Sequence, residues 1–340
     1  RNDGGYTITG AFELEEESGG IGMTNPKIAF NWASSCGGCE IAILELGTKL
    51  VDLANKVDIV FWPAALDYKY SDLEAMPDGS INVTFMNGAI QNSENEHIAK
   101  LLRAKSKLLV AFGTCAYLGG IPSLANTTDR DGIFASSYME TPTTDNPEKT
   151  FPQTKVQVRE GELTIPELYN TVKTLDQVVD VDYYVPGCPP VGEQVSKVIS
   201  LFVDGPLPPK GAVLGASDKS LCHECKRTRT ERKITKIVRT YETIPDSQKC
   251  LLEQGIICMG PATRGGCGSI CLDANAPCRG CYGPLPKAID QGGKMLSALS
   301  SIFDAQSEED IQKLADSVPD PLGTFYRFSL ARSLLRRTKP

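Results

Sequence analysis

The chain has 340 residues, of which 41% are hydrophobic and 23% are charged, and its formal net charge is −7. This length and composition suit about two globular domains and exclude wholesale disorder. The acidic balance argues against nucleic acid as the main partner. No apolar run is long enough to predict a transmembrane helix.

From about residue 26 to residue 205, short apolar segments alternate with amphipathic ones. The predicted strands, rich in β-branched and aromatic residues, are 27–32, 56–62, 81–86, 107–112 and 180–185. The predicted helices, with apolar residues at helical spacing, are 40–54, 94–105, 163–179 and 191–203. Apolar strands that alternate with helices indicate an α/β fold with a parallel sheet covered on both faces. Residues 120–160 show little periodicity and are expected to form a surface insertion, a candidate partner contact.

The pattern changes near residues 205–211 (GPLPPKG), where three prolines in a short span indicate a linker. The Gly- and Pro-rich sequence beyond it has little aliphatic periodicity and would fold poorly without an internal organiser such as a metal. Helical periodicity returns in 287–303 and 308–318. We therefore predict four regions: an acidic N-terminal extension (1–25), a sheet domain (26–205), a cysteine-rich domain (206–285) and a helical tail (286–340).

Cysteine is the unusual component, with twelve residues against only two histidines. A chain of this length and apolar content does not need disulfides to stabilise a small core. The N-terminal residues show no basic region followed by an apolar block, so no export signal is predicted and a reducing, cytoplasmic compartment is expected. Metal ligation is then a better hypothesis than disulfide bonding.

Four cysteines directly follow predicted strands. Cys36 and Cys39 come after the first strand, Cys115 after the fourth and Cys188 after the fifth. The carboxyl ends of parallel strands line one crevice of an α/β sheet, where ligands bind. We therefore group these four thiols as the sheet-edge quartet. Glycines leave room for backbone N–H groups to approach the sulfurs, and they are Gly37, Gly38, Gly113 and Gly187.

The other eight cysteines divide most simply into two successive sets of four. The second quartet is Cys222, Cys225, Cys250 and Cys258, and the third quartet is Cys267, Cys271, Cys278 and Cys281. Either set alone suits zinc as well as iron. Three quartets in one chain favour iron–sulfur clusters, because a row of such sites can carry electrons over a graded set of potentials. An exchange of ligands between the second and third quartets stays open.

Eight of the cysteines lie in four distinctive motifs: SCGGCE at 35–40, GTCAYLGGIPS at 113–123, PGCPP at 186–190, and GPATRGGCGSIC at 260–271 with APCRGCYGP at 276–284. In these motifs and their order the chain resembles the small subunit of [NiFe]-hydrogenases over roughly residues 26–285. Within that family it is most similar to the cytoplasmic, methyl-viologen-reducing type, whose relatives work with heterodisulfide reductase. The resemblance implies a flavodoxin-like sheet domain followed by a smaller, irregular and α-helical domain that holds iron–sulfur clusters.

The resemblance also implies a role for each quartet. The sheet-edge quartet would hold a proximal cluster nearest the nickel–iron centre of a large subunit, the third quartet a medial cluster and the second quartet a distal one. Many relatives have a histidine at the position of Cys222, and a proline with a three-iron cluster at the medial site, where this chain has Cys271. Both departures favour three [4Fe–4S] clusters, with iron bound by all twelve cysteines and the nickel–iron centre in the partner chain only.

The implied function is electron transfer from H2 oxidation in the partner large subunit to an acceptor protein, with the heterodisulfide reductase type as the candidate acceptor. The chain alone is not expected to oxidise H2. One alternative is a complex I-like, quinone-reducing cluster subunit, in which the first cysteine pair is adjacent, whereas Gly37 and Gly38 separate it here. Another alternative is a zinc-stabilised, non-redox scaffold. Neither nucleic acid nor a membrane span is expected.

Three smaller signals accompany the cysteines. Glu40 directly follows Cys39 and is a candidate proton relay, or simply a carboxylate stabilised at a helix N-terminus. His223 lies inside the CHEC motif and is expected to donate a hydrogen bond to a sulfur rather than to ligate iron, while His97 is expected to be solvated. Residues 222–240 hold seven Lys or Arg against two Glu. This basic stretch is interpreted as a docking face for an acidic redox partner, or as a solvated helix face.

Overall fold

The computed structural model describes residues 25–230 and 233–336. Its strands are β1 (Lys27–Trp32), β2 (Asp58–Phe61), β3 (Ile81–Asn87), β4 (Ile90–Asn92), β5 (Ser106–Phe112), β6 (Lys155–Val158), β7 (Gly161–Thr164), β8 (Leu168–Lys173) and β9 (Tyr183–Val185). Its α-helices are α1 (Gly38–Leu44), α2 (Thr48–Ala54), α3 (Tyr70–Ala75), α4 (Ser93–Lys105), α5 (Thr114–Leu118), α6 (Arg130–Ala135), α7 (Gly192–Asp204), α8 (Ile270–Asp273), α9 (Gln291–Ser300), α10 (Glu308–Asp316) and α11 (Pro321–Phe325). Within this described part, no helix is long and apolar enough to cross a membrane. Residues 1–24 of the expected N-terminal extension lie outside it.

Five strands form one sheet in the order β2-β1-β3-β5-β9, and every neighbouring pair is parallel. With the intervening short strands set aside, this is the 2-1-3-4-5 order of flavodoxin-like, doubly wound folds. The α/β fold with a parallel sheet is therefore confirmed. Because all five strands run the same way, the loops after β1, β5 and β9 open at one edge of the sheet.

Both faces of the sheet are buried, which explains why its strands are apolar throughout rather than alternating. On one face, Phe30 and Phe85 stack with ring centroids 5.4 Å apart and belong to the same cluster as Val198 of α7. On the other face, Met86 clusters with Ile98 of α4. The sheet domain therefore has an apolar core built almost entirely from its own residues, with Ala212 and Leu214 added from the start of the cysteine-rich region.

A separate core lies in the cysteine-rich half, where regular structure is sparse. It combines Leu251 and Ile256 from cysteine-bearing loops with Met295 of α9 and Phe325 of α11. Segments of the expected helical tail thus pack into the same core as the cysteine-rich segment. The boundaries of the four regions stay a prediction.

Two of the predicted helices are wrong in whole or in part. Residues 163–179 form the end of β7, strand β8 and a 3-10 turn, because β8 pairs antiparallel with β4 and this pairing overrides the apolar spacing. The predicted helix 40–54 is divided into α1 and α2 at Gly47, whose φ is +59°. The other predicted strands and helices are present, β1 with the predicted bounds and the rest with shifted ends.

The predicted insertion at 120–160 is largely exposed but locally folded. It contains a 3-10 helix at Ile121–Thr127, helix α6, a π-helical turn and strand β6, which pairs with β7 just beyond it. The rings of Phe134, Tyr138 and Phe151 have centroids 6.0–6.4 Å apart. These aromatic contacts give the insertion a small packing centre of its own, and its role as a partner contact stays a prediction.

The Asp182 carboxylate joins the end of the sheet to α4 and to the linker. It accepts hydrogen bonds from Arg103 Nη1 at 2.7 Å and from the Leu109 amide at 2.8 Å, and Lys210 Nζ lies 2.6 Å away. Burial alone would raise the pKa of Asp182, but these donors outweigh burial and lower it. The ionised form of Asp182 is therefore stabilised by folding.

We predict that Asp182→Asn lowers the free energy of unfolding by about 2–3 kcal/mol, because hydrogen bonds to a charged group are lost. Since the folded pKa lies below the usual value for aspartate, this stabilisation is complete above about pH 4 and is lost as the pH falls through the folded pKa. Anaerobic denaturant unfolding should give the same difference at about pH 5 and about pH 7. Asp180→Asn, at a neighbouring exposed carboxylate, is the control and should change little. A difference that already shrinks between the two pH values would contradict this account.

Candidate metal centres

The sheet-edge quartet converges at the carboxyl edge of the sheet. Cys36 lies in the loop after β1, Cys39 and Cys115 lie early in α1 and α5, and Cys188 follows β9. Burial and the charges of the other three thiolates raise the pKa of Cys39 well above its ordinary value. Burial, together with the Cys188 and Cys36 thiolates, raises the pKa of Cys115 to about 12. The four thiols are therefore close neighbours.

Two glycines keep space open beside these sulfurs. Gly113 has a φ of +82°, and a Cβ at this position would collide with the sulfur of Cys39. Gly120 has a φ of +58°, and a Cβ there would lie 2.5 Å from the sulfur of Cys115. Gly113 is one of the glycines that the sequence predicts beside the sulfurs. Gly120 lies in the same motif but is not among those predicted glycines.

We predict that Gly113→Ala displaces Cys39 and removes about four of about twelve irons per chain. The added Cβ meets the sulfur, and the backbone conformation is one that L-residues rarely adopt. Iron and acid-labile sulfide analysis of anaerobically purified protein measures the loss. Gly47→Ala is the matched control, because φ is also positive there but a Cβ meets nothing within 4 Å. Equal iron contents in the two variants would contradict the prediction.

The second quartet is drawn from loops around the core of the cysteine-rich half. Burial raises the pKa of Cys222, and the thiolates of Cys250 and Cys225 also raise it. Burial raises the pKa of Cys258 to about 12, with a further contribution from Cys222 and Cys250. All four members are linked by these interactions.

Three members of the third quartet are linked in the same way. Burial raises the pKa of Cys281 to about 12, and the Cys267 and Cys271 thiolates add to this effect. Cys278 differs, because after burial the thiolate that most raises its pKa is Cys258 of the second quartet, ahead of Cys281. Cys278 therefore lies between the second and third quartets. It is a candidate for the exchange of ligands between these quartets that the sequence leaves open.

Two contacts join the three quartets in an order that differs from the chain order. The Cys281 sulfur accepts a hydrogen bond from the Cys188 backbone amide and lies close enough to the Cys188 thiolate for its charge to raise the Cys281 pKa. The Cys258 sulfur accepts a hydrogen bond from the Cys278 backbone amide. The third quartet consequently lies between the sheet-edge quartet and the second quartet.

The surroundings of the sulfurs fit iron–sulfur clusters. All twelve cysteines are free thiols, and backbone amides donate hydrogen bonds to the sulfurs of Cys115, Cys258, Cys267 and Cys278. Across residues 25–230 and 233–336, no three His, Cys, Asp or Glu side chains form a group compact enough for one metal ion.

Glu224 is a functional candidate that cysteine spacing does not reveal. It lies inside the CHEC motif, yet its carboxylate accepts hydrogen bonds from the Gly266 and Gly268 amides on either side of Cys267. A Cβ on Gly265 would collide with this carboxylate. Glu224 thus connects the loop of the second quartet to the loop of the third. The sequence feature that could have identified it is an acidic residue between two paired cysteines.

Glu40 occupies the first turn of α1 and is only 4% exposed. Its carboxylate accepts hydrogen bonds from the Trp62 indole and the Asn87 amide. Burial raises the pKa of Glu40, and the two hydrogen bonds oppose that rise. Asn87 also accepts a hydrogen bond from the Ser35 hydroxyl, next to Cys36. This position is compatible with both roles suggested by the sequence, and the proton-relay role stays a prediction.

The two histidines have different environments. His223 Nδ1 lies 3.1 Å from the Ser220 hydroxyl, which in turn hydrogen-bonds the Cys222 thiol. The ring therefore reaches the second quartet through Ser220 rather than by the predicted direct hydrogen bond. His97 is exposed, with Nε2 3.9 Å from the Glu74 carboxylate, as expected for a solvated side chain.

Apart from the 3-10 turn at Leu221–His223, the basic stretch at 222–240 is irregular rather than helical over its described residues. The interpretation as a solvated helix face is therefore wrong. Arg227 is buried and so does not belong to the surface, whereas Lys233 and Lys236 are exposed. Arg229 donates a hydrogen bond to the Cys222 carbonyl. Arg232 lies outside the described residues.

Known proteins resemble this chain over nearly its whole length. A family model described as NADH ubiquinone oxidoreductase, 20 Kd subunit, matches residues 36–202. The chain is 42% identical over 317 residues to the iron-sulfur subunit of the F420-non-reducing hydrogenase of Archaeoglobus profundus, covering 92% of this chain and 98% of the relative. It is 36% identical over 314 residues to a subunit of the F420-non-reducing hydrogenase of Methanothermobacter marburgensis, covering 91% and 96%. The solved [NiFeSe] hydrogenase of Desulfovibrio vulgaris Hildenborough aligns with a TM-score of 0.48 and 16% identity, covering 79% of this chain and 97% of that one.

The family model spans only the sheet domain, so it does not by itself separate a complex I-like subunit from a hydrogenase subunit. The two hydrogenase relatives also align with the cysteine-rich half. The complex I-like and zinc-scaffold alternatives are therefore not favoured. The chain belongs to the family of [NiFe]-hydrogenase small subunits, in the group of the iron-sulfur subunits of F420-non-reducing hydrogenases, and is an electron-transfer subunit of an oxidoreductase.

Proposed function

We propose that this chain conducts electrons through three [4Fe–4S] clusters, from the nickel–iron centre of a large subunit to an acceptor protein. The supporting observation is the pair of contacts that join the quartets, Cys188 with Cys281 and Cys258 with Cys278. These contacts leave the sheet-edge quartet at one end of the row and the second quartet at the other. We accordingly assign the sheet-edge, third and second quartets to the proximal, medial and distal clusters.

The cysteine inventory supports three four-iron clusters. Twelve cysteines in three sets of four leave none with which this chain could hold nickel. Cys222 and Cys271 supply thiolates where many relatives have a histidine or a proline, which favours the four-iron form at both sites. When bound, such clusters accept and release one electron at a time. The protein's part is to bury the thiolates, to donate N–H bonds to their sulfurs and to keep the three sites adjacent.

We assign the large subunit to the surface beside the sheet-edge quartet. Cys36 and Cys188 are exposed there, and Trp32 and Ile41 next to the quartet are 49% and 53% exposed. Large exposed apolar side chains grouped at a ligand site are typical of a protein interface. In the partner, H2 → 2 H⁺ + 2 e⁻ supplies the electrons, and Glu40, behind this surface, is the candidate proton relay.

We assign the acceptor protein, of the heterodisulfide reductase type by family resemblance, to the surface beside the second quartet. A cavity of about 240 Å³ is lined there by Cys222 and Cys250 together with Arg229 and Lys233. Exposed positive charge beside the end of the row suits an acidic redox partner, because opposite charges speed encounter. We place the complex in the cytoplasm, where free thiols are kept reduced.

Anaerobic purification of the tagged chain tests the assignment of clusters and partner. We expect about twelve irons per chain and a co-purifying, larger chain that contains nickel. The chain separated from that partner should show no H2-dependent dye reduction. Zinc in place of iron, a quinone-binding partner without nickel, or H2 oxidation by the single chain would overturn the proposal.

We predict that Lys233→Glu combined with Lys236→Glu slows H2-driven reduction of an anionic dye about tenfold at low salt, because the attractive surface charge is reversed. Reduction of the cationic dye methyl viologen should not slow. Raising the salt should bring the anionic-dye rates of the variant and wild type together. Lys107→Glu, an exposed charge reversal at the amino end of β5, is the matched control. Equal effects on both dyes would refute the acceptor assignment.

A further inference from the structure

Arg227 is a buried cation whose hydrogen-bonded partners are all neutral. Its exposed fraction is 7%. Nη1 donates to the carbonyls of Asp246 and Lys249 at 2.8 and 3.0 Å. Nη2 donates to the Leu272 carbonyl at 2.9 Å and to Asn275 Oδ1 at 2.7 Å. Nε is buried and has no hydrogen-bond partner among the described residues.

These four acceptors belong to two different cysteine-bearing loops. Lys249 immediately precedes Cys250 of the second quartet, and Leu272 immediately follows Cys271 of the third quartet. Arg227 itself lies two residues after Cys225. One planar guanidinium therefore spans the gap between the two quartets and holds their loops together.

The carboxylate of Glu224, three residues before Arg227, accepts hydrogen bonds from the Gly266 and Gly268 amides. The carboxylates on or beside the acceptor residues are also engaged elsewhere. The side chain of Asp246 accepts a hydrogen bond from the Gln248 amide. The side chain of Asp273 forms an ion pair with the exposed Lys226 at 3.2 Å. Burying a charge is costly unless an opposite charge compensates it. Among the described residues no carboxylate is hydrogen-bonded to Arg227, whereas two of its acceptors adjoin Cys250 and Cys271, which would carry negative charge in a cluster.

We propose that Arg227 positions the loops of the second and third quartets and that its buried charge raises the reduction potential of the clusters bound there. This inference rests on the proposed function, because it requires clusters at both quartets. Reduction adds one electron to a cluster and neither makes nor breaks a bond. A nearby buried positive charge stabilises the extra negative charge more than an exposed one does, since it is not screened by water.

The test uses the anaerobically purified hydrogenase complex and a potentiometric titration followed by electron paramagnetic resonance. Arg227→Gln removes the charge and keeps a neutral donor. Asn275→Asp keeps the whole guanidinium fork and places a carboxylate against it, at a residue whose φ of 59° aspartate tolerates. Lys226→Gln is the matched control, since it also removes one positive charge, from a neighbouring side chain that is 80% exposed.

We expect both Arg227→Gln and Asn275→Asp to lower the potential of one or both clusters. At the wild-type midpoint potential, the ratio of reduced to oxidised cluster should fall at least tenfold. A tenfold change corresponds to a shift of about 59 mV for a one-electron couple. Lys226→Gln should change this ratio less than twofold. Arg227→Lys, which keeps the charge but not the planar fork, should retain the wild-type potentials with a lower unfolding temperature. These readouts separate a charge effect from a purely structural one.

If Arg227→Gln loses iron, the cluster potentials of Asn275→Asp test the inference in its place. Wild-type potentials in Asn275→Asp, loss of iron from it, or an equal shift in Lys226→Gln would each overturn the inference. A wild-type complex with far fewer than about twelve irons per chain would instead refute the proposed function. Iron analysis of each sample therefore distinguishes the two failures.

Discussion

Each quartet brings together mutually repelling sulfurs, most of them partly or fully buried. Burial and neighbouring charge both disfavour the thiolate form, as the raised pKa values of Cys39, Cys258 and Cys281 show. Such a set persists as thiolates only if a cationic group binds it, and binding then releases protons and stabilises the fold. Because Cys258 and Cys278 belong to the core of the cysteine-rich half, cofactor binding there would be coupled to the folding of that core.

The two halves differ in how far they depend on this coupling. The sheet domain buries apolar side chains on both faces of its parallel sheet, and Cys39 is the one sheet-edge cysteine that belongs to this core. The cysteine-rich half has little regular structure and relies on polar links between loops. Glu224 accepts hydrogen bonds from the loop of Cys267, and Arg227 spans the loops of Cys250 and Cys271. Charged side chains therefore connect segments here that strands and helices connect in the other half.

The fold was largely predictable from the sequence because fully buried parallel strands are continuously apolar and follow one another at regular intervals. The prediction failed at residues 163–179, where apolar spacing resembles a helix but β8 is held by antiparallel pairing with the distant β4. It also missed Gly120 and Glu224, whose importance depends on contacts with Cys115 and with the Gly266–Gly268 loop. The Glu224 contact joins segments that no local pattern relates, whereas Gly120 contacts Cys115 within one motif and is revealed by its positive φ.

The sequence by itself determined the α/β sheet and the sheet-edge grouping of four thiols, because strand periodicity and the position of a residue after a strand are local properties. It also determined the family, through motifs that carry eight of the cysteines and occur in a characteristic order. Only the tertiary structure decided that Cys278 stands between the second and third quartets and that Arg227 is buried, while the contacts of the third quartet with the other two agree with the order that the resemblance implied. The physical reason is that these facts depend on packing between loops far apart in the chain, where a charged or sulfur-bearing side chain has no periodicity to reveal its neighbours.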